Sequence, residues 1–248
     1  MRSASTPWLT LFGNTLEAPY RIFAFPYTGA GPVAFSSWAR GFIQHSVDLI
    51  GIHYPGRGAR YKEPPISDMD TLISAMVPAL LPYFDRPFRF FGHSMGALIA
   101  FETARALRAA GAPAPDSLFV SAFRAPHMPN LRAPLHQEPE DRLYQGLTRY
   151  GGTPAEILGS TELRNFFAPL IRADLRLHER YVYRPEPPLD VPIIALSGAH
   201  DEMVPPWLVN GWLHHSSDSF QSHVYDGGHF FINDHRDALI DLLCADIG

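Results

Sequence analysis

The sequence predicts an α/β architecture: a mostly parallel sheet with helices on both faces and a helical segment inserted late in the chain. Three observations predict it. Strand-like and helix-like runs alternate through most of the 248 residues, the rhythm of a parallel sheet built from crossover units. That rhythm stops between 124 and 188, where arginine and proline clusters surround helical patches and no good strand is found. The sharpest strand-to-helix junction, FRFFGHSMGALIAFETAR (88–105), places a serine between two glycines.

RIFAFPY (21–27) is apolar through most of its length and reads as a buried strand. VAFSSWARGF (33–42) reads as a helix. VDLIGIHYP (47–55) is a second strand, stopped by the turn residues PGRG. MDTLISAMVPALLPYF (69–84) has helical periodicity, with Ser67 or Asp68 as N-cap and Pro78 expected to kink it or end its first half. FRFFGH (88–93) is a strand, and MGALIAFETARALRAAG (95–111) a helix closed by late arginines and a glycine. SLFVSAF (117–123), VPIIALSG (191–198) and FQSHVYDGG (220–228) are further strands, and DHRDALIDLLCADI (234–247) is the last helix. DRLYQGLTRYGG and TELRNFFAPLIRADLRLHERY supply the helices of the interruption. Its length exceeds the dozen or so residues a crossover needs. The division expected is therefore a core of 1–123 and 189–248 and a helical lid of 124–188, with ordinary crossover helices as the alternative.

Composition narrows the function classes. A net charge of −5 argues against non-specific nucleic-acid binding. No apolar run reaches the length of a membrane helix, and MRSASTPWLTLFGN lacks the apolar core of a signal peptide. The lone Cys244 excludes an internal disulfide. The expectation is a cytoplasmic, monomeric protein. No His/Cys/Asp/Glu cluster has metal-ligand spacing, so neither metal nor cofactor is expected.

GHSMG (92–96) fits G-x-S-x-G at the end of a strand and the start of a helix. This is the setting of a nucleophile elbow, where the serine is held exposed on a tight turn with no room for neighbouring Cβ atoms. Ser94 is the candidate nucleophile; a structural serine in a glycine-rich loop is the bland alternative. A serine hydroxyl needs a base. Among twelve histidines, His229 in DGGHFF follows the last strand on a loop. His93 points away from the elbow and reads as packing, while His214 and His215 read as solvated. The acid expected is Asp201, where the strand of ALSGAHDEMVP (195–205) ends in a turn; Glu202 is the runner-up, and Asp226 reads as a turn former. The order Ser94, Asp201, His229 is that of α/β-hydrolases. An oxyanion hole needs two backbone N–H groups. Met95 supplies one, and the loop FPYTGAG (25–31) the other, from Thr28 or alternatively Tyr27.

FAFPYTGAG, YPGRGAR, FRFFGHSMGALIAFETARALR, GGTPAEIL and DGGHFF together resemble the type II thioesterases, stand-alone α/β-hydrolases that accompany polyketide synthases and non-ribosomal peptide synthetases. The resemblance runs from about residue 20 to residue 232. It implies the fold, a helical lid and a substrate class: acyl groups on the phosphopantetheine thiol of acyl or peptidyl carrier proteins. It also implies Ser94 as nucleophile, Asp201 as acid, His229 as base, and Met95 and Thr28 as oxyanion donors. The chain departs from the family's common Ala-Gly-Gly at Thr28-Gly29-Ala30, and its lid segment PLHQEPEDRLYQGL is looser than usual. Arg124, Arg132, Arg142, Arg149, Arg164, Arg172, Arg176 and Arg180 fall in or beside the lid, as a carrier-docking patch or a solvated helix face. Tyr144, Leu147, Phe166, Phe167 and Leu170 either line an acyl channel or pack the lid onto the core. The rival readings are a medium-chain fatty-acid-synthase thioesterase, a small-molecule esterase, and a binding module that kept the fold.

Overall fold

The computed structural model describes residues 6–13 and 17–247. Residues 1–5 and 14 of the N-terminal stretch read for a targeting signal therefore lie outside the described residues. Seven strands form one sheet: β1 Leu9–Phe12, β2 Tyr20–Phe25, β3 Val47–Ile52, β4 Phe88–His93, β5 Ser117–Ser121, β6 Ile193–Gly198 and β7 Phe220–Tyr225. Their spatial order is β1-β3-β2-β4-β5-β6-β7. All neighbouring pairs are parallel except β1, which runs antiparallel to β3 with Leu9 opposite Ile52 and Phe12 opposite Leu49. β2, β3, β5 and β6 are buried at every residue, as strands covered on both faces must be.

The period of two along each strand sorts the side chains between two cores. Phe23, Phe25, Phe88 and Phe90 point to one face, where they meet α2 (Met69–Leu80) and α3 (Met95–Ala109). Ile22, Ala24, Phe91 and Phe119 point to the other, beneath α1 (Ala39–Gln44) and α8 (Arg236–Cys244). The aromatic side chains stack edge to face, as with Phe23 and Phe84 at 5.0 Å and Phe25 and Phe90 at 5.1 Å. Asp68 caps α2 by accepting the Thr71 N–H at 2.9 Å. Pro78 lies inside that helix, which continues to Leu80 and passes into a 3₁₀ turn at Leu81–Tyr83.

Between β5 and β6 the chain leaves the sheet and forms α4 (Glu140–Thr148), α5 (Ala155–Gly159) and α6 (Thr161–Glu179). These share a small core of their own, with Leu143, Tyr144 and Leu147 of α4 against Ala168, Ile171 and Leu175 of α6. The segment roofs the carboxyl end of the sheet. A short helix α7 (Pro206–Asn210) follows β6. Among the described residues no helix is long and apolar enough to cross a membrane.

Three sequence expectations are corrected. The helix over 33–42 is instead a 3₁₀ stretch, Pro32–Trp38, leading into α1; Phe35, Trp38 and Phe42 still share one buried face. β1 was not anticipated: four half-buried residues carry too little pattern, and only pairing with β3 makes them a strand. His215 is not solvated but 3% exposed, whereas His214 is exposed. The 3₁₀ turn Gly211–His215 eclipses residues three apart, so Trp212 and His215 enter the core together beside Phe101.

Burial pushes the His215 imidazole down to about 4. A base whose folded pKa lies below its unfolded one contributes stability at neutral pH that is lost as pH falls through the unfolded value toward the folded one. Between pH 7 and pH 5 this group should cost about 2 kcal/mol. Urea unfolding at the two pH values should show a loss that is smaller by about that amount in His215→Phe.

Candidate active site

The site begins with a backbone constraint. Ser94 joins β4 to α3 at φ 53° and ψ −125°, a region that side chains rarely enter. Neighbouring chain segments leave no alternative. A Cβ on Gly96 would lie 2.0 Å from the Phe25 carbonyl oxygen, and one on Gly92 would lie 2.3 Å from the Gly96 oxygen. The Ser94 N–H donates to the Ser121 oxygen at 2.7 Å, fastening the turn to β5. The strained turn lifts the hydroxyl to the carboxyl edge of the sheet, where open α/β sheets bind ligands.

His229 arrives on the loop after β7. Its Nδ1–H donates to Asp201 Oδ2 at 2.7 Å, and its Nε2 lies 3.0 Å from Ser94 Oγ. The carboxylate can only accept, so Nδ1 carries the proton and Nε2 is free to accept from the serine. Asp201 is 3% and His229 5% exposed. The other oxygen of Asp201 accepts the backbone N–H groups of Met203 and Val204, both at 2.9 Å, which fixes the carboxylate plane. The two loops touch: a Cβ on Gly198 would lie 2.3 Å from the Gly228 oxygen.

Ser94, Asp201 and His229, far apart in sequence, are thus brought together. The alternatives are not. Glu202 is exposed, and Asp226 pairs with the exposed His200 at 3.0 Å. His93 is wholly buried and bonded through Nδ1 to Ser121 Oγ at 2.9 Å. Burial, with His229 adding to it, holds its pKa well below the usual imidazole value.

Met95 is the first residue of α3, so its N–H has no intrahelical acceptor. Thr28 follows β2, and its hydroxyl approaches the Met95 sulfur at 3.9 Å. The loop that carries Thr28 is held from above. Gly29 N–H donates to Asp174 Oδ2 on α6 at 2.7 Å. Arg57, from the PGRG turn, donates to both oxygens of Asp174 at 2.8 and 2.7 Å and to the Ala30 oxygen at 3.0 Å. The pair is buried, at 5% and 1% exposure. Sequence reading missed both roles. The available signal was an acid at 174 within the otherwise apolar face of Leu170, Ile171, Leu175 and Leu177.

Ser94 and His229 face a chamber of about 90 Å³ lined also by Tyr27, Thr28, Phe123, Leu147, Tyr150 and Phe230 among others. Tyr150 sets its ring edge-on to His229 at 4.9 Å, and burial pushes its hydroxyl up to about 12. A Cβ on Gly152 would lie 2.1 Å from the Phe230 ring, so the GGT turn seats the roof directly on that side chain. Leu147 is the one residue of the anticipated apolar set that lines the chamber. Tyr144 packs within the roof and donates its hydroxyl to the Arg164 oxygen at 2.7 Å. Phe166, Phe167 and Leu170 face a separate groove beside Gly29 and Arg57. The arginines do not make one patch. Arg142 and Arg164 pair with Glu138 and Asp141, Arg172 donates to the His136 oxygen at 2.9 Å, Arg176 and Arg180 line a cleft with Arg105 and Arg184, and Arg124, Arg132 and Arg149 line another.

Residues 20–247 match the family described as Thioesterase domain. This chain is a member of that family. The thioesterase is 32% identical to the gramicidin S biosynthesis protein GrsT of Aneurinibacillus migulanus, over 97% of this chain and 93% of that one. It is 34% identical to a Brevibacillus parabrevis protein named linear gramicidin dehydrogenase LgrE, over 95% and 90% of the two chains. Among solved structures it superimposes on RedJ, the thioesterase of the prodiginine pathway in Streptomyces coelicolor, with a TM-score of 0.87 and 37% identity over 93% of this chain and 91% of that one. The thioesterase is a hydrolase of the α/β-hydrolase fold, and the solved structures similar to it include type II thioesterases of the borrelidin cluster and of the yersiniabactin NRPS/PKS pathway.

Removing the Asp174 charge leaves a buried guanidinium unpaired. Asp174→Asn should lower stability by about 3 kcal/mol, read as a shifted urea midpoint. The exposed Asp141→Asn should change it by less than about 0.5 kcal/mol.

Proposed function

We propose that this thioesterase hydrolyses acyl groups from the phosphopantetheine arm of acyl and peptidyl carrier proteins. It would thereby clear stalled or mis-primed chains from a polyketide or non-ribosomal peptide assembly line in the cytoplasm. The observation that carries this is His229, bonded at once to Ser94 Oγ and Asp201 beneath the roof of α4–α6. The pathway association of GrsT and RedJ supports the substrate class.

In the reaction proposed, Ser94 Oγ attacks the thioester carbonyl while His229 Nε2 takes its proton. Asp201 holds the imidazole in the Nδ1–H tautomer and stabilises the imidazolium. The Met95 and Thr28 N–H groups, neither of which has an acceptor among the described residues, receive the developing oxyanion. The pantetheine thiol leaves with the proton from His229. Water, deprotonated by the same nitrogen, then cleaves the acyl-serine and returns the hydroxyl. The α4–α6 segment acts as the lid: Asp174 ties it to the Thr28 loop, and Leu147 and Tyr150 close the chamber against solvent.

The name of the Brevibacillus relative raises a dinucleotide reading, and Gly29, Gly31 and Ala34 even fit a G-x-G-x-x-A loop after a strand. Two observations weigh against it. The Asp174 carboxylate already accepts the Gly29 N–H on that loop. The only acid of β3, Asp48, lies at its start, whereas a ribose-binding acid belongs at the strand's carboxyl end.

Acyl release from acetyl- to medium-chain acyl carrier proteins should exceed release of the same acyl groups from p-nitrophenyl esters. Faster oxyester cleavage with carriers untouched would make the protein an esterase, and a sharp medium-chain optimum would make it a fatty-acid chain terminator. Ser94→Ala should lose on the order of 10⁶-fold in kcat, and Asp201→Asn about 10⁴-fold.

A further inference from the structure

The 90 Å³ chamber holds little more than the reacting atoms, so the rest of any substrate must extend out of it. A cavity of about 550 Å³ adjoins it, and Phe123, Tyr150, His178 and Val204 line both. The polar lining of this cavity is lopsided. Arg124 follows Phe123 at the carboxyl end of β5 and is partly buried. Its guanidinium donates one hydrogen bond, to the Met128 oxygen at 2.9 Å, and lies 5.4 Å from the centre of the Phe123 ring. No carboxylate among the described residues pairs with it. The Arg132 guanidinium donates to a backbone acceptor, the Glu202 oxygen, and Arg149 stands exposed at the rim.

Two acids also line the cavity, and neither answers Arg124. Glu179 is engaged by the N–H groups of Leu135 and His136 and by His136 Nδ1 at 2.6 Å. Glu202 is exposed. His178, on α6, meets the Phe123 ring edge-on at 5.9 Å, and burial pushes it down to about 4, so it stays neutral at pH 7. Arg124 is partly buried with one of its five donors used, so the remaining donors are open to a ligand that enters the cavity. Its planar fork suits a carboxylate or a phosphate.

We propose that this cavity is a subsite for an anionic group of the substrate, held by Arg124 with Arg132 and Arg149 at its rim. The inference rests on the thioesterase reading. Two groups on a carrier-borne thioester have the required chemistry: the phosphate at the far end of the arm, and a carboxylate on a dicarboxylic acyl group.

The test is calorimetric titration of Ser94→Ala protein, which binds without turning over. The probes are four thioesters: propionyl and malonyl groups, each on pantetheine and on phosphopantetheine. The parent should bind an anionic probe about tenfold tighter than its neutral counterpart, and adding Arg124→Gln should abolish that ratio. A ratio that follows the phosphate whatever the acyl group assigns the arm; one that follows the malonyl carboxylate whatever the arm assigns the acyl group. Arg132→Gln/Arg149→Gln alters only rim positions and should cut the same ratio severalfold, which keeps the test open if Arg124→Gln does not fold. Equal affinity for charged and neutral probes in the parent, or a ratio that survives both variants, overturns the inference. Turnover of propionyl-pantetheine by the unmodified enzyme is a separate readout. Its absence with the charge preference intact would remove the reaction and leave the subsite standing.

Discussion

The site depends on the backbone of Ser94. A residue held at φ 53° and ψ −125° stores on the order of 1–3 kcal/mol of strain and persists only where its surroundings over-determine it. Here they do. Gly96 runs against the Phe25 and Pro26 carbonyls, Gly92 packs on the first turn of α3, and Ser121 takes the Ser94 N–H. Each of these contacts belongs to a different strand end, so the elbow is imposed by the parallel register of β2, β4 and β5. The return is positional: one hydroxyl stands clear of the sheet edge at the start of a fifteen-residue helix.

Asp201 and His229 are delivered by the same edge. β6 and β7 run parallel from Ile193 opposite Phe220 to Gly198 opposite Tyr225, so the loops that follow them start side by side. The approach of Gly198 to the Gly228 oxygen is the result, and it leaves the acid and the imidazole within one hydrogen bond. The roof is fixed by a different interaction. A buried ion pair contributes little net stability, because desolvation offsets most of the attraction. What Arg57 and Asp174 contribute is geometry. One carboxylate gathers the Gly29 N–H and both arms of a guanidinium that also grips Ala30, so α6 and the loop after β2 keep one spacing.

Much of the core and of the hydrogen-bonded trio was legible in the sequence, for physical reasons that differ by element. Strands buried on both faces must be continuously apolar, and β2, β3, β4, β5 and β6 are visible on that ground. Gly92 and Gly96 around Ser94 were legible because no other residue fits beside the elbow. β1 and the 3₁₀ stretch at Pro32–Trp38 were not, because short elements take their form from what they pack on. His215 misled for a related reason: a His-His pair in a polar segment looks solvated until the turn that buries one of them is known.

The sequence by itself determined the layered α/β class, the family, and the order in which Ser94, Asp201 and His229 follow the strand ends. All of these are written in local pattern: apolar runs, glycine spacing and turn chemistry. Only the tertiary structure decided that Arg57 and Asp174 are partners, 117 residues apart. Only it showed that the arginines between 124 and 180 divide among four surroundings, with Arg172 donating to the His136 oxygen, and that Arg124 faces a cavity in which no carboxylate among the described residues pairs with it. Charge pairing is a matter of distance in space, and a charged residue in a sequence looks the same whether its partner is a neighbour, water or a ligand.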